Sequence, residues 1–145
     1  MIRARTLMCL VLALGFAAVA HAAEPWLRSW TVERVICPTC DARTLAGINQ
    51  AIGQHIVLAP DRFTNPMYTS CEKGADYSDI QPRPADVAAR LMLPGTLPAL
   101  SGPVVLAGAV RCARESGPAN TVARVVFDGA TGYYLFEEGA IIVLK

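Results

Sequence analysis

The alternation of hydrophobic and polar positions is clearest in the last third of the chain, where it predicts consecutive β-strands. Four segments carry this pattern: residues 103–112, 121–127, 133–136 and 140–144. In the second segment Ala123, Val125 and Phe127 share one face, which is the spacing of a half-buried strand. Short turns at residues 128–132 and 137–139 separate the later segments, and each contains glycine. Consecutive strands joined by such turns form an antiparallel meander.

Two further strands and a long loop are predicted before this meander. Residues 30–37 alternate and then switch face near residues 34–35, which predicts a strand with a bulge or a bend. Residues 55–58 form a second, shorter apolar segment. Residues 61–83 are rich in Pro, Asp, Asn and Ser, so we expect a long loop there, held in place by Cys71.

Helical spacing of apolar residues predicts two short helices. The first covers residues 41–52, with Asp41 or Thr39 as its N-cap and Gly53 as its C-terminal stop. Its apolar side chains are Leu45, Ile48 and Ile52. The second covers residues 85–93. Its apolar face is formed by Val87 and Leu91.

Together these elements predict one globular, β-rich α+β domain over residues 23–145. We expect the antiparallel meander to form a small barrel or a curved sheet, with one or two short helices packed against it and with disulfide bonds stabilising it. A chain of this length provides one hydrophobic core and not two.

Residues 1–22 have the pattern of a secretory signal peptide that is cleaved. Arg3 and Arg5 give a positive start, residues 7–20 are largely apolar, and residues 20–22 supply the small-x-small pattern of a cleavage site. The apolar stretch is too short to span a bilayer. We therefore expect a periplasmic or secreted protein with no membrane anchor after cleavage.

The charge balance argues against nucleic acid as a partner. The whole chain contains 13 Lys and Arg residues and 12 Asp and Glu residues. Loss of the two signal arginines leaves eleven basic against twelve acidic residues. A nearly neutral surface has no basic region for binding phosphates or anionic lipid, so neither nucleic acid nor a membrane surface is expected as a partner.

Four cysteines remain outside the predicted signal: Cys37, Cys40, Cys71 and Cys112. An even number of cysteines in an exported chain favours disulfide bonds, and four cysteines allow three complete pairings. A bond between Cys37 and Cys40 closes a very small loop. A bond from either of them to Cys71 or Cys112 would close a longer loop and stabilise by roughly 3–4 kcal/mol. We expect a structural bond for at least one of Cys71 and Cys112.

The motif Cys37-Pro38-Thr39-Cys40 lies between a predicted strand and a predicted helix. This arrangement resembles the active site of thioredoxin-like thiol–disulfide oxidoreductases. The resemblance implies that Cys37 is the nucleophile and Cys40 the resolving thiol, because a thiolate at a helix N-terminus is stabilised there. The preceding strand contains Glu33 and Arg34, whereas the central strand of that family is apolar on both faces. Thiol–disulfide exchange is therefore the alternative to a structural role.

Other catalytic or cofactor chemistry finds little support in the sequence. His55 is the only histidine outside the predicted signal. A zinc site formed by the four cysteines would require Cys71 and Cys112, which are far apart in the chain, to lie next to Cys37 and Cys40. An oxidising compartment also favours disulfide bonds over zinc binding. No cofactor and no metal are expected. The sequence does not favour an enzyme. If the protein is an enzyme, we expect a thiol–disulfide oxidoreductase.

Aromatic residues favour a binding role. Tyr134 and Phe136 share one face of a short strand, and Tyr133 points to the opposite face. One of these faces must build the core, and the other could contact a partner. Tyr68 lies in the long loop, and an ordered loop on a rigid β scaffold is a common recognition surface. We predict binding through these four residues to another protein or to a small apolar ligand.

Residues 131–140 also resemble the inhibitory strand of small exported lysozyme inhibitors, which are antiparallel barrels with a disulfide. The likeness rests on Thr131-Gly132-Tyr133-Tyr134, Phe136 and Gly139-Ala140. It implies inhibition of an enzyme in the cell envelope, and an immunity-type role belongs to the same class. The sequence therefore predicts an exported binding domain, with thiol–disulfide exchange by Cys37 and Cys40 as the alternative.

Overall fold

The computed structural model describes residues 24–145, and the predicted signal peptide at residues 1–22 lies outside the described residues. Its elements follow one another along the chain in this order: β1 (Ser29–Ile36), α1 (Ala42–Asn49), β2 (His55–Ala59), β3 (Arg62–Thr64), β4 (Ala75–Asp76), β5 (Gln81–Pro84), α2 (Ala85–Leu91), β6 (Val104–Cys112), β7 (Asn120–Asp128), β8 (Thr131–Leu135), a 3-10 turn (Glu137–Gly139) and β9 (Ile141–Leu144). The β-rich α+β class predicted from the sequence is confirmed.

All strand pairs are antiparallel, and the sheet order is β3-β2-β1-β9-β8-β7-β6-β4, with β5 also pairing with β6. Strands β6 to β9 form the predicted meander by successive hairpins. Strand β1 lies beside β9, so the first strand of the chain extends the meander. The register of this pair shifts between Val32 and Arg34, which confirms the predicted bulge.

The sheet curls until its two ends nearly meet, and we call this junction the seam. At the seam Phe63 and Cys71 exchange backbone hydrogen bonds, with N–O distances of 3.1 and 2.7 Å. The backbone N–H of Ala75 also donates to the carbonyl of Asp61 at 3.2 Å. The architecture is thus a nearly closed barrel with two short helices, because these contacts connect the β3 edge to the β4 edge.

The cysteines form two disulfide bonds, Cys37–Cys40 and Cys71–Cys112. The second joins the seam to the end of β6 across 41 positions of sequence. It confirms the structural bond expected for Cys71 and Cys112. Two disulfides indicate an oxidising, extracytoplasmic environment. Within residues 24–145 no helix has the length and apolar character needed to cross a membrane.

Apolar side chains form two layers, one inside the barrel and one outside it. The largest fully buried side chains of the inner layer are Trp30, Phe63, Ile56, Leu58, Ile142 and Leu144. The outer layer lies between the sheet and α2, and its buried members include Ala88, Met92, Val126, Tyr133, Ile141 and Val143. Strand β9 is buried on both faces, since it contributes alternate residues to each layer.

Three details of the sequence prediction were wrong. Residues 61–83 are not one loop but contain β3, β4 and β5, which are two to four residues long. Such strands are too short to show a period, and β5 contains two prolines, which edge positions tolerate. Ile52 is 46 % exposed because α1 ends before it. The fully buried residue of α2 is Ala88, and Met92 directly after the helix is also buried, whereas Val87 and Leu91 are half-buried.

Strands β4 and β5 pair with opposite ends of β6 and leave a gap between them, which polar side chains fill. A carboxylate oxygen of Asp79 accepts a hydrogen bond from the backbone N–H of Ala109 at 2.8 Å. The guanidinium of Arg83 donates to the carbonyl of Ala107 at 2.9 Å and to Asp79 at 3.1 Å. Side chains therefore replace the missing strand, and Gly108 lies directly against the backbone of Asp79.

Candidate binding groove

A cavity of about 470 Å³ lies between helix α1 and the loop residues Pro66 and Met67, and we call it the α1 groove. Ile48, Ala51 and Met67 provide apolar lining, and Phe136 closes one side. Polar and charged side chains also line it: Arg43, Thr44, Gln50 and Gln54. A concave surface of this size, lined by both apolar and polar side chains, has the general character of a binding site.

Asn65 holds one wall of the α1 groove in position. This side chain is 3 % exposed, and its Nδ2 donates to the hydroxyl oxygen of Tyr134 at 3.1 Å. Its Oδ1 accepts from the backbone N–H of Met67 at 3.0 Å. Its backbone N–H donates to Ser70 Oγ at 2.8 Å. A buried amide whose nitrogen and oxygen are both hydrogen-bonded fixes the loop, because releasing either partner leaves a polar group unsatisfied away from water.

The fold brings Tyr68 and Phe136 together at the side of this groove. Their ring centroids are 6.4 Å apart and their planes meet at 89°. Tyr68 is 57 % exposed, so its ring is open to contact by a partner. Phe136 is half-buried, and its ring also packs against Tyr134, with centroids 6.3 Å apart. Of the four aromatics predicted for binding, these two are the pair that a partner can reach.

Tyr133 and Tyr134 are both buried, on opposite sides of β8. Tyr134 belongs to the barrel interior and Tyr133 to the outer layer under α2. Burial raises the pKa of Tyr134 to about 12, and it also raises the pKa of Tyr133. Both phenols are therefore neutral at physiological pH. The alternation of the strand predicted their opposite orientations, but it could not show that both faces of the sheet are covered.

The Cys37–Cys40 disulfide lies between the end of β1 and the start of α1. The N-cap of α1 is Asp41, whose carboxylate accepts from the backbone N–H of Thr44 at 2.8 Å. This bond lowers the pKa of Asp41. Cys37 itself precedes the helix by five positions. A carboxylate, and not a cysteine sulfur, thus occupies the helix N-terminus that would activate a thiolate in the thioredoxin-like arrangement.

His55 lies on the surface. Its Nδ1 is 3.3 Å from the hydroxyl of Thr31, and both residues are on neighbouring strands. Across residues 24–145 there is no group of three or more His, Cys, Asp or Glu side chains arranged to hold a metal ion.

Sequence reasoning identified Tyr68 and Phe136 but missed Asn65 and the helix face that completes the groove. The Asn65-Pro66 pair marks a turn, which was the available local signal. Nothing in the sequence indicated that α1 would lie across from residue 67.

Comparison of the chain with protein-family models, with curated proteins and with solved structures gives no match. The class that the structure defines is a disulfide-containing, antiparallel, nearly closed barrel. The function must therefore be argued from the groove and the cysteines of this chain.

The Asn65–Tyr134 bond leads to a first testable prediction. Tyr134→Phe removes the acceptor and leaves the buried Nδ2 of Asn65 unsatisfied, so the free energy of unfolding should fall by about 1–3 kcal/mol. Tyr133→Phe is the matched control, because the Tyr133 hydroxyl has no hydrogen-bond partner among the described residues. Urea denaturation of the two variants measures the difference. Equal stability of both variants would show that the Asn65 bond does not hold the loop.

Proposed function

We propose that the protein is a periplasmic or secreted binding domain that takes a segment of a partner protein into the α1 groove. The observation that carries this proposal is the exposed Tyr68 packed against Phe136 beside a groove with an apolar lining. Inhibition of an envelope enzyme, or an immunity-type role, is one form that this binding would take.

Rigidity of the groove supports the proposal. One wall is helix α1. The other is the loop that the hydrogen bonds of Asn65 hold in place and that the disulfide of Cys71 joins to the barrel. A site whose walls are already ordered loses less conformational entropy when a partner binds. Tyrosine at its edge offers a large contact area with few rotatable bonds, which is why tyrosine is frequent at the centres of protein interfaces. A small apolar ligand in the same groove is the competing outcome.

Site-specific photo-crosslinking in cells tests the proposal. A photoreactive phenylalanine derivative in place of Tyr68 should form one discrete protein adduct. The same derivative in place of Val104 is the matched control, because Val104 is also 57 % exposed but lines a different cavity, beside Trp26 and Phe127. We expect no adduct at that position.

Substitution of Gly47 shows whether the adduct depends on the groove. Gly47 lines the groove, and a Cβ there would meet nothing within 4 Å. Gly47→Trp should fill the groove and abolish the adduct, whereas Gly47→Ala should preserve it and stabilise α1 by about 0.5–1 kcal/mol. An adduct that persists in Gly47→Trp, or that forms equally at position 104, would contradict the proposal.

Thiol–disulfide exchange by Cys37 and Cys40 is the second candidate. The observation that favours it is that Cys37 and Cys40 are bonded to each other, with Pro38 and Thr39 exposed between them. The observation against it is the capping of α1 by Asp41. A titration of the reduction potential separates the two roles. A couple that is reversible near the potential of the cell envelope would favour exchange, and a bond that resists reduction would favour a structural role.

A further inference from the structure

A second cavity adjoins the α1 groove, and Phe136 lines both of them. This cavity of about 430 Å³, which we call the β7 groove, lies between Leu93-Pro94 and the outer face of β7 and β8. Its lining includes Leu93, Val122, Arg124, Leu135 and Glu137. Phe136 therefore marks the place where the two grooves adjoin, and a segment lying across this side chain would contact both.

Large apolar side chains are exposed at these grooves. Tyr68 packs on Phe136 and is 57 % exposed, and Leu93 is 59 % exposed in the lining of the β7 groove. Within the described part of the chain, two other large apolar residues are exposed to a similar degree, Ile52 and Val104. Two of these four exposed side chains therefore lie at or beside the two grooves, where an apolar side chain of a partner could pack on them.

Two arginines line the two grooves. Arg43 lines the α1 groove and Arg124 the β7 groove, and among the described side chains one acid, Glu137, also lines the β7 groove. Neither arginine forms an ion pair with a described residue. By contrast, Arg83 and Arg90 are paired with Asp79 and Asp86.

We infer that the occupant is an extended, acidic segment of a partner protein that crosses both grooves. A bulky apolar side chain of the segment packs on Phe136, and carboxylates on either side of it bond to Arg43 and Arg124. Arginine suits this role because its planar guanidinium binds carboxylates through two hydrogen bonds. The inference rests on the proposed binding function, and it adds the chemistry and the extent of the partner segment.

Selection of a random peptide library on the disulfide-intact protein tests this inference. Enriched peptides should carry Asp or Glu on both sides of an aromatic or large aliphatic residue. In calorimetric titrations with a synthetic peptide of the enriched sequence, Arg43→Glu and Arg124→Glu should each weaken binding about tenfold or more. Arg62→Glu is the matched control, because Arg62 is exposed on β3 and lines neither groove. The affinity should also fall as salt is raised.

Other outcomes separate this inference from the proposed function. The first case is a set of peptides that bind the wild type but not the Gly47→Trp variant. If these peptides show no preference for acidic residues, or bind the Arg124→Glu variant as well as the wild type, the inference is overturned and the α1 groove remains a binding site. If the selection enriches no peptide whose binding is lost in the Gly47→Trp variant, the result contradicts both the inference and the proposed function.

Discussion

Replacing Cys71 and Cys112 together by alanine should lower the free energy of unfolding by about 4 kcal/mol. Their bond closes a loop with a sequence separation of 41, so its loss releases a large part of the unfolded chain. The folded state also loses the covalent connection between the seam and β6. Because small domains are stable by only about 5–15 kcal/mol, this loss is a large fraction of the total. Urea denaturation of the variant with Cys37–Cys40 still oxidised measures it.

The matched control is the double substitution of Cys37 and Cys40 by alanine. The sequence separation of Cys37 and Cys40 is 3, so the same chain-entropy relation gives a loss in the free energy of unfolding of no more than about 2 kcal/mol. This pair also lies outside the seam. A larger loss of stability from the Cys37 and Cys40 substitutions than from those of Cys71 and Cys112 would mean that the seam is not the principal covalent connection of the barrel.

Gly108→Ala should destabilise the protein by about 3 kcal/mol or more. A Cβ at this position would lie 2.2 Å from the carbonyl oxygen of Asp79 and 2.8 Å from the Cα of Ile80. Both are backbone atoms, so the segment before β5 must move away from β6. That movement would break the bond between Asp79 and the backbone of Ala109 and the contacts of Arg83.

Thermal and urea denaturation of Gly108→Ala, compared with Gly47→Ala, measure this effect. Both substitutions add one methyl group, but a Cβ at Gly47 meets nothing within 4 Å. The first variant should be less stable and the second more stable than the wild type. If Gly108→Ala were as stable as the wild type, this result would contradict the close packing of residues 79–80 against Gly108 of β6.

The meander was predictable because its strands pair with their sequence neighbours and because β6 and β7, with nine residues each, are long enough to show alternation. The alternation of Ala123, Val125 and Phe127 places them together inside the barrel, as expected. The positive φ of Gly139, 82°, was likewise foreseeable from its place in a tight turn. In these segments the local pattern and the tertiary contacts favour the same structure.

The seam and the α1 groove could not be predicted, because each depends on contacts between distant short segments. Strands β3 and β4 contain three and two residues, too few to show alternation. The bond between Asn65 and Tyr134 connects positions 69 residues apart. Composition predicted an ordered loop near Cys71, but its contact with Phe136 follows only from closure of the barrel.

Tryptic digestion of the unreduced protein tests most directly whether the cysteines hold a closed barrel. Cleavage after arginine and lysine gives the peptides 35–43, 63–73 and 112–114, which distinguish the pairing of this structure from the other two, since both of those would link all three peptides. Mass spectrometry should find an internal bond in 35–43 and a bond joining 63–73 to 112–114. A bond from 35–43 to either of the other peptides would contradict the closed seam. Free thiols in 35–43 would contradict the structural role of Cys37 and Cys40.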